Sequence, residues 1–353
     1  MAAWEGNYAN GTRLSDLVAR PEFLAYQRED IYNNCKWIQS GAVVRNSALD
    51  ARAGGVKVQV PFFKPINPTE VVIEDNNTWG AGGYVAPEKI TAGDQVMPIL
   101  HRTFAYASSD LAALGSGTDP LAAVRSYITR AVNKLRTTTL ISQLNGVFGT
   151  ALSGNALDIS TATAGAAEAN FLTAQSVIRA KHLLGERADE LSIIAMHSDV
   201  YAYLQAIGAL TFSTSALSTG GNIQWGGGGV GLTSDAVAYF MGLRVVVDDM
   251  LAPTINAGGA DQYNVYIMTQ GAVAEGVQQE MRIEADRNIL SLQDVLQVNY
   301  HYGMHVMGTK YTGADNPSNT VLATAGSWSL AYTERKMCDV VRLTVNTPYA
   351  ANV

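Results

Sequence analysis

The stretch that most constrains this chain is DPLAAVRSYITRAVNKLRTTTLISQLNGVF, running from Asp119 to Phe148. Asp119 offers a side-chain oxygen to an orphan backbone N–H, and Pro120 sits where its missing N–H costs nothing. Leu121, Val124, Ile128, Ala131, Val132 and Leu135 fall within one arc of roughly 100° at the helical repeat. The spacing predicts one helix about 40 Å long, with Gly149 placed to end it in a left-handed turn. The apolar stripe rotates after Thr137-Thr138-Thr139, so that Leu140, Ile141 and Leu144 lie on another face. Three successive β-branched residues also lower helix propensity, and a bend is expected there. Arg125, Arg130, Lys134 and Arg136 against Asp119 give this helix a local charge of +3. That row reads as a solvated face, or in a sharper reading as a face turned toward polyanion. Some 118 residues precede the helix without a nucleotide or metal motif, which points to a building block more than to an enzyme.

Charged residues make up only 16% of the chain against 47% hydrophobic ones, where an ordinary soluble protein carries about 25% charge. A surface so short of charge is expected to be covered in part by further copies of itself. The net charge of −7 argues against a dedicated nucleic-acid binder, which carries a basic patch or stripe. Cys35 and Cys338 provide neither a disulfide framework nor a cysteine-based zinc site. The segment MAAWEGNYANGTRLSD lacks the apolar core of a signal peptide, and no run approaches the ~18 apolar residues of a membrane span. Folding in a reducing cytoplasm is the expectation. The length of 353 residues allows two or three domains, or one elaborate one.

Ahead of the helix, residues 1–54 mix Asn, Gly, Arg and aromatic residues, with a loosely periodic helix candidate from Pro21 to Lys36. VKVQVPFF then alternates Val56, Val58 and Val60 with Lys57 and Gln59, a strand with one apolar face. Pro61 and Pro65 confine it to an edge or an end. QVMPILHRTFAYASS reads as the returning strand after about thirty turn-rich residues, making a long hairpin with too little core to stand alone. After Ala151 the pattern alternates. A helix is expected from Ala167 to Leu184, a buried strand in ELSIIAMHS, and a helix in VYAYLQAI capped by Ser198 or Asp199. A mobile loop is expected from Thr211 to Ser234 around Gly226–Gly229. GLRVVVDD and YNVYIMTQGAVAEG read as two apolar strands, SLQDVLQVNYHYGMHVMG as one long alternating strand, and CDVVRLTVN as the last. This is an α+β pattern with a mixed sheet and no internal repeat.

No catalytic constellation is complete. His197, Ser198 and Asp199 hold the residue types of a hydrolase triad, but they are consecutive and there is no G-x-S-x-G elbow; a strand end and helix cap is the plainer reading. His301 and His305 are spaced for a metal on a helix, yet lie in a strand pattern without the Glu of H-E-x-x-H. The tetraglycine lacks a following G-K-[ST]. Asp248-Asp249 reads as a solvated strand end, and Glu275, Glu280, Glu284 and Asp286 are too scattered for a carboxylate pair. Neither a cofactor nor a metal is expected.

The order of pieces is more specific than any one of them. A Gly-Gly, V-x-V-P-F entry to the hairpin (Gly54 to Phe62) is followed by the D-P-L-A helix ending L-x-G-V-F. Then come A-M-H-S-x-V-Y-x-x-L (Ala195 to Leu204), G-x-x-V-V-V-D-D (Gly242 to Asp249) and Y-x-x-Y-x-x-x-x-G-A-V-x-x-G (Tyr263 to Gly276). An H-x-x-G element follows, drawn from His301 or His305 with Gly303 or Gly308, and last a W-x-x-x-Y segment (Trp328 to Tyr332). Over nearly its whole length the chain resembles the major capsid proteins of tailed bacteriophages with the Hong Kong 97-type fold.

The resemblance implies an N-terminal arm over 1–54 and an extended loop over 55–103. It implies a peripheral domain over 104–149 and 277–337 with spine helix 119–148, and an axial domain over 150–276 and 338–353. It implies pentamers and hexamers closing an icosahedral shell around double-stranded DNA, with portal, scaffolding and decoration proteins as partners and no membrane. Assembly contacts are expected from Lys64, Trp79, Tyr84 and Lys89 in the extended loop, from Trp225 and Gly226, Gly227, Gly228 and Gly229 at the axial tip, and from Arg125, Arg130, Lys134 and Arg136 on the spine. Some related shells cross-link a hairpin lysine to an asparagine; Lys57, Lys64 and Lys89 are present, and nothing marks one as reactive. The alternatives are an encapsulin-like nanocompartment shell with the same fold and a cytosolic hydrolase using His197 and Ser198.

Overall fold

The computed structural model describes residues 36–50, 54–70, 87–116, 119–163, 165–213, 223–224, 237–257 and 259–349. The helix candidate at Pro21–Lys36, Trp79 and Tyr84, and Trp225 with Gly226–Gly229 lie outside the described residues, save for Lys36 itself.

Three sheets occur among the described residues. The first orders β1 (Val43–Arg45), β12 (Val273–Asn288), β13 (Gln293–Val306) and β4 (Leu100–Ser109), with β12, β13 and β4 antiparallel in turn. The second has eight strands: β5 (Ala156–Asp158), β16 (Val340–Val345), β11 (Tyr263–Met268), β6 (Ile193–Met196), β10 (Leu243–Val247), β9 (Val237–Phe240), β7 (Thr211–Ser213) and β8 (Ile223–Gln224). It is mixed, because β10 runs parallel to β6 and β16 parallel to β5. The third orders β15 (Trp328–Leu330), β14 (Thr309–Tyr311), β3 (Ala92–Pro98) and β2 (Lys57–Phe63). β2 is its edge strand, as Pro61 requires.

Alternation along the strands builds two cores. Ile193, Ala195, Tyr266, Met268 and Val340 face one side of the eight-stranded sheet; Ile194, Met196, Val265, Ile267, Val341 and Leu343 face the other. The first core continues onto β13, where Leu296, Val298, Tyr300, Tyr302, Met304 and Val306 present every second residue. Helix α3 (Pro120–Gly149) lies where the two sheets meet.

The start of α3 is as its sequence predicts: Asp119 accepts the Leu121 N–H at 2.9 Å and Pro120 opens the helix. Its halves differ. Up to Arg136 only Leu121, Ile128 and Val132 are buried, and Leu135, expected on the apolar stripe, is exposed. From Thr137 on, burial extends around the helix to Leu140, Gln143, Leu144, Gly146, Val147 and Phe148. Phe148 meets Tyr266 of the eight-stranded sheet, whose ring also stacks on Trp37 of α1 (Lys36–Gln39).

The threonine run lies within one continuous helix, where the hydroxyls of Thr137, Thr138 and Thr139 donate to the carbonyls four residues back, a contact that often bends helices. One expectation for this helix is corrected. Gly149 is the last helical residue and not a left-handed cap. Its value is close approach. A Cβ on Gly149 would stand 2.6 Å from Ala325 Cβ, and one on Gly146 only 2.1 Å from the Leu322 carbonyl of α6 (Asn319–Leu322). Trp328 Nε1 donates to that same carbonyl at 2.8 Å.

Other boundaries shift for local reasons. The helix expected from Ala167 to Leu184 is broken. Phe171 pairs as extended backbone with Asn346, and the reciprocal Thr173–Ser176 cap starts α4 (Ala174–Lys181) afresh. Helix α5 (Ser198–Ala206) is capped by His197, one residue before the expected caps. YNVYIMTQGAVAEG divides at a turn, with Gly271 at φ 76°, into β11 and the start of β12. No described helix is long and apolar enough to cross a membrane.

Candidate assembly surfaces

Two projections leave this core. The first is the β2–β3 hairpin, paired from Lys57–Pro98 to Phe63–Ala92. Its base is tied down by polar contacts. Gln95 Oε1 accepts from His305 Nε2 at 3.0 Å and from the Gly308 N–H at 3.1 Å, while Gln95 Nε2 donates to the Tyr332 hydroxyl at 2.9 Å. The H-x-x-G element is thus His305 and Gly308, converging on one amide oxygen. Gly308 has φ 85°, and a Cβ there would be 2.4 Å from Cys338 Sγ. His305 is fully buried with Nδ1 unpartnered, and burial lowers its pKa to about 4, so its ring stays neutral. Lys310 binds Asp94 at 2.6 and 2.8 Å, and Lys57 binds Asp315 at 2.9 Å beside the Tyr311 ring. Phe62 packs edge-on against Tyr332. Past this base the hairpin stands clear: Phe63, Ile66 and Ile90 are exposed, as are Lys64 and Lys89.

The second projection is the outer end of the β12–β13 ribbon. Ile289, Leu290 and Leu292 at its turn are exposed, Leu290 to 98%. Helix α2 (Asp110–Ser116) sits beside it with Leu111 and Leu114 also exposed. The patch has a fixed shape. The Asp110 N–H donates to the Leu292 carbonyl at 3.0 Å, and Arg287 binds Asp110 at 2.5 Å and Asp294 at 3.5 Å. Five large apolar side chains at one end of an ordered sheet form the kind of patch that marks a protein contact. These residues were missed in the sequence because the strand pattern was read from Ser291 onward; the cue was three apolar residues in a turn between alternating strands.

The basic row of α3 divides. Arg125, Arg130 and Lys134 are exposed. Arg136 turns inward, donates to the Glu275 carboxylate and lies 6.0 Å from the Tyr302 ring centre. Burial raises the Glu275 pKa, and the Arg136 charge opposes that rise. The pair joins helix to sheet beside a cavity of about 220 Å³.

The sequence-level chemical candidates take structural places. His197 Nδ1 accepts the Asp199 N–H at 3.2 Å, and Asp199 Oδ2 accepts from the Tyr263 hydroxyl at 2.8 Å. The triad-like run is therefore a buried helix start. Asp248 is buried, not solvated; its Oδ1 accepts the Met250 N–H at 3.0 Å and burial raises its pKa. Glu280 pairs with Arg45 at 3.0 Å. His301 and His305 lie on one strand and separate: His305 meets Gln95, and His301 meets His101 across the sheet. Among the described residues no group of three or more His, Cys, Asp and Glu could hold a metal.

A long helix wedged between two sheets, with a tethered hairpin thrown outward, defines a capsid subunit of the Hong Kong 97-type fold. A chain of the cyanophage Pam1 capsid asymmetric unit superposes with a TM-score of 0.60 at 12% identity, over 94% of this chain and 98% of that one. The capsid of Ralstonia phage GP4 gives 0.60 at 11% identity, over 96% and 99%. Residues 49–341 match the family described as Gp13-like, Major capsid protein 13-like, and the chain belongs to that family. The major capsid protein of Bacillus phage SPP1 is 27% identical over 341 residues, which is 92% of this chain and 96% of that protein. The chain is a major capsid protein of a tailed phage, a structural component of the virion that associates with copies of itself.

Proposed function

We propose that copies of this chain form pentamers and hexamers that close into an icosahedral head around double-stranded DNA. The observation that carries this reading is the tethered hairpin. Its base is anchored by buried polar contacts, yet Phe63, Ile66 and Ile90 have no cover among the described residues. A neighbouring copy supplies that cover, and the Ile289–Leu292 patch is a second face for the same purpose. Closed symmetry leaves no such face open. The proposed division is an arm over 1–54, an extended loop over 55–103, a peripheral domain over 104–149 and 277–337, and an axial domain over 150–276 and 338–353 with its tip near Trp225 and Gly226–Gly229. Lys64, Trp79, Tyr84 and Lys89 belong to the extended loop.

The role is mechanical, not enzymatic. A net charge of −7 keeps the inner wall from gripping the genome through many phosphate contacts at once. Exposed Arg125, Arg130 and Lys134 supply limited, non-specific contact. Portal, scaffolding and decoration proteins are the further partners, and assembly takes place in the host cytoplasm. Electron cryomicroscopy of the purified chain, with absorbance at 260 and 280 nm of native particles, tests this. Closed shells that hold DNA in the native source are expected. Native shells holding protein cargo in place of DNA would overturn the genome-container reading.

A further inference from the structure

The chain has five histidines. His197 and His305 are buried, and His182 is exposed. His101 and His301 form a pair that no sequence motif announces, 200 positions apart and directly opposed in the β4–β13 register. Their ring centres are 4.4 Å apart with planes at 47°.

The hydrogen bonds assign the tautomers. Gln278 Nε2 donates to the Gly55 carbonyl at 2.9 Å, so its Oε1 is the atom facing His101 Nε2 at 3.0 Å. That ring nitrogen must therefore carry the proton. His301 Nε2 lies 3.1 Å from Asn299 Oδ1, and an Nε2–H there makes the matching hydrogen bond. With both rings donating Nε2–H to an amide oxygen, both Nδ1 lone pairs are left without a partner among the described residues. A ring whose second nitrogen is held by an oxygen acceptor is the arrangement in which histidine ligates metals.

The separation fits as well. With a metal ~2.0 Å from each ring nitrogen, two imidazoles bound at right angles have centres about 4.5 Å apart. We propose that His101 and His301 form a cross-strand chelate for a divalent transition metal of tetragonal preference, Cu²⁺ or Ni²⁺, through their Nδ1 atoms. Two imidazoles with water in the remaining positions make a donor set those ions favour. The site clips β4 to β13 beside the place where the β12 register slips, between Val277 and Gln279 and again before Arg282.

The test is Cu²⁺ added alone to the untagged full chain, followed by electron paramagnetic resonance and a binding titration. One Cu²⁺ per chain with nitrogen splitting from two imidazoles is expected. His101→Gln and His301→Gln each reduce the splitting to one nitrogen and weaken binding by at least about tenfold, since loss of an outer-shell partner alone costs 10–100-fold. His182→Gln leaves both readouts unchanged. A wild-type spectrum without two-imidazole splitting overturns the proposal. So does splitting that survives in folded His101→Gln or His301→Gln. If either variant melts early, the wild-type nitrogen count with the His182→Gln control decides.

Discussion

The two ends of the β12–β13 ribbon share one ladder of hydrogen bonds and do opposite things. At the inner end Val273, Ala274, Met304 and Val306 are buried, and a Cβ on Gly303 would stand 2.6 Å from Met97 Cε. At the outer end Ile283, Ile289, Leu290 and Leu292 are exposed. The change comes along β12, whose residues from Glu280 to Arg287 are exposed, while Leu296 and Val298 opposite them on β13 stay in the core. Backbone pairing is indifferent to which end is which. What differs is whether another element of the same chain supplies the opposing surface. The inner end is completed by α3 and β3, and the outer end finds no cover among the described residues.

Substitutions can break that contrast, and they are ranked here by their effect on the unassembled subunit. Leu144→Ala opens a cavity in the core and is expected to cost about 3 kcal/mol in chemical denaturation; a loss below about 1 kcal/mol would mean the helix–sheet wedge is loosely packed. Glu275→Gln leaves the Arg136 charge without its partner. Because the site is partly open, the expected loss is about 2 kcal/mol, less than the ~3–5 of a fully enclosed pair; Arg136→Met with Glu275→Leu should recover most of it. Gln95→Ala strands the His305 and Gly308 donors and is expected to cost about 1–2 kcal/mol, loosening the hairpin base by hydrogen exchange at Asp94–Met97.

His305 adds a pH signature to the same network. Its pKa in the folded chain is lowered to about 4, below the ordinary 6.5. Its stabilising contribution is complete above pH 6.5 and declines as pH falls from 6.5 toward 4, because only the unfolded chain takes up the proton readily. His305→Gln should flatten this part of the denaturation–pH curve relative to wild type; parallel curves would refute it. Leu290→Ser at the outer end is expected to change subunit stability by less than about 0.5 kcal/mol while reducing shell yield in sedimentation. If the subunit is destabilised as much as by Leu144→Ala, the contrast between the two ends is wrong.

Much of the architecture was legible. The α3 start, β2 with its edge position, β6, β10, β13 and β16 follow from caps, proline chemistry and period-two alternation. The misses share a cause. Gly149 looked like a cap because a helix end and a close packing contact both select glycine, and only α6 and Ala325 tell them apart. Leu135 satisfied the periodicity but lies where α3 has no cover. Arg136 looked like its basic neighbours until Glu275, 139 positions away, met it.

Local chemistry by itself determined where the main elements run, which strand must lie at an edge, and the α+β character of the chain, since capping, alternation and proline act over a few residues. Only the tertiary structure decided which apolar faces find cover inside the subunit. It alone joined His305 and Gly308 on Gln95, Arg136 on Glu275, and His101 beside His301. Those choices depend on contacts between segments far apart in the chain, and no local spacing records them.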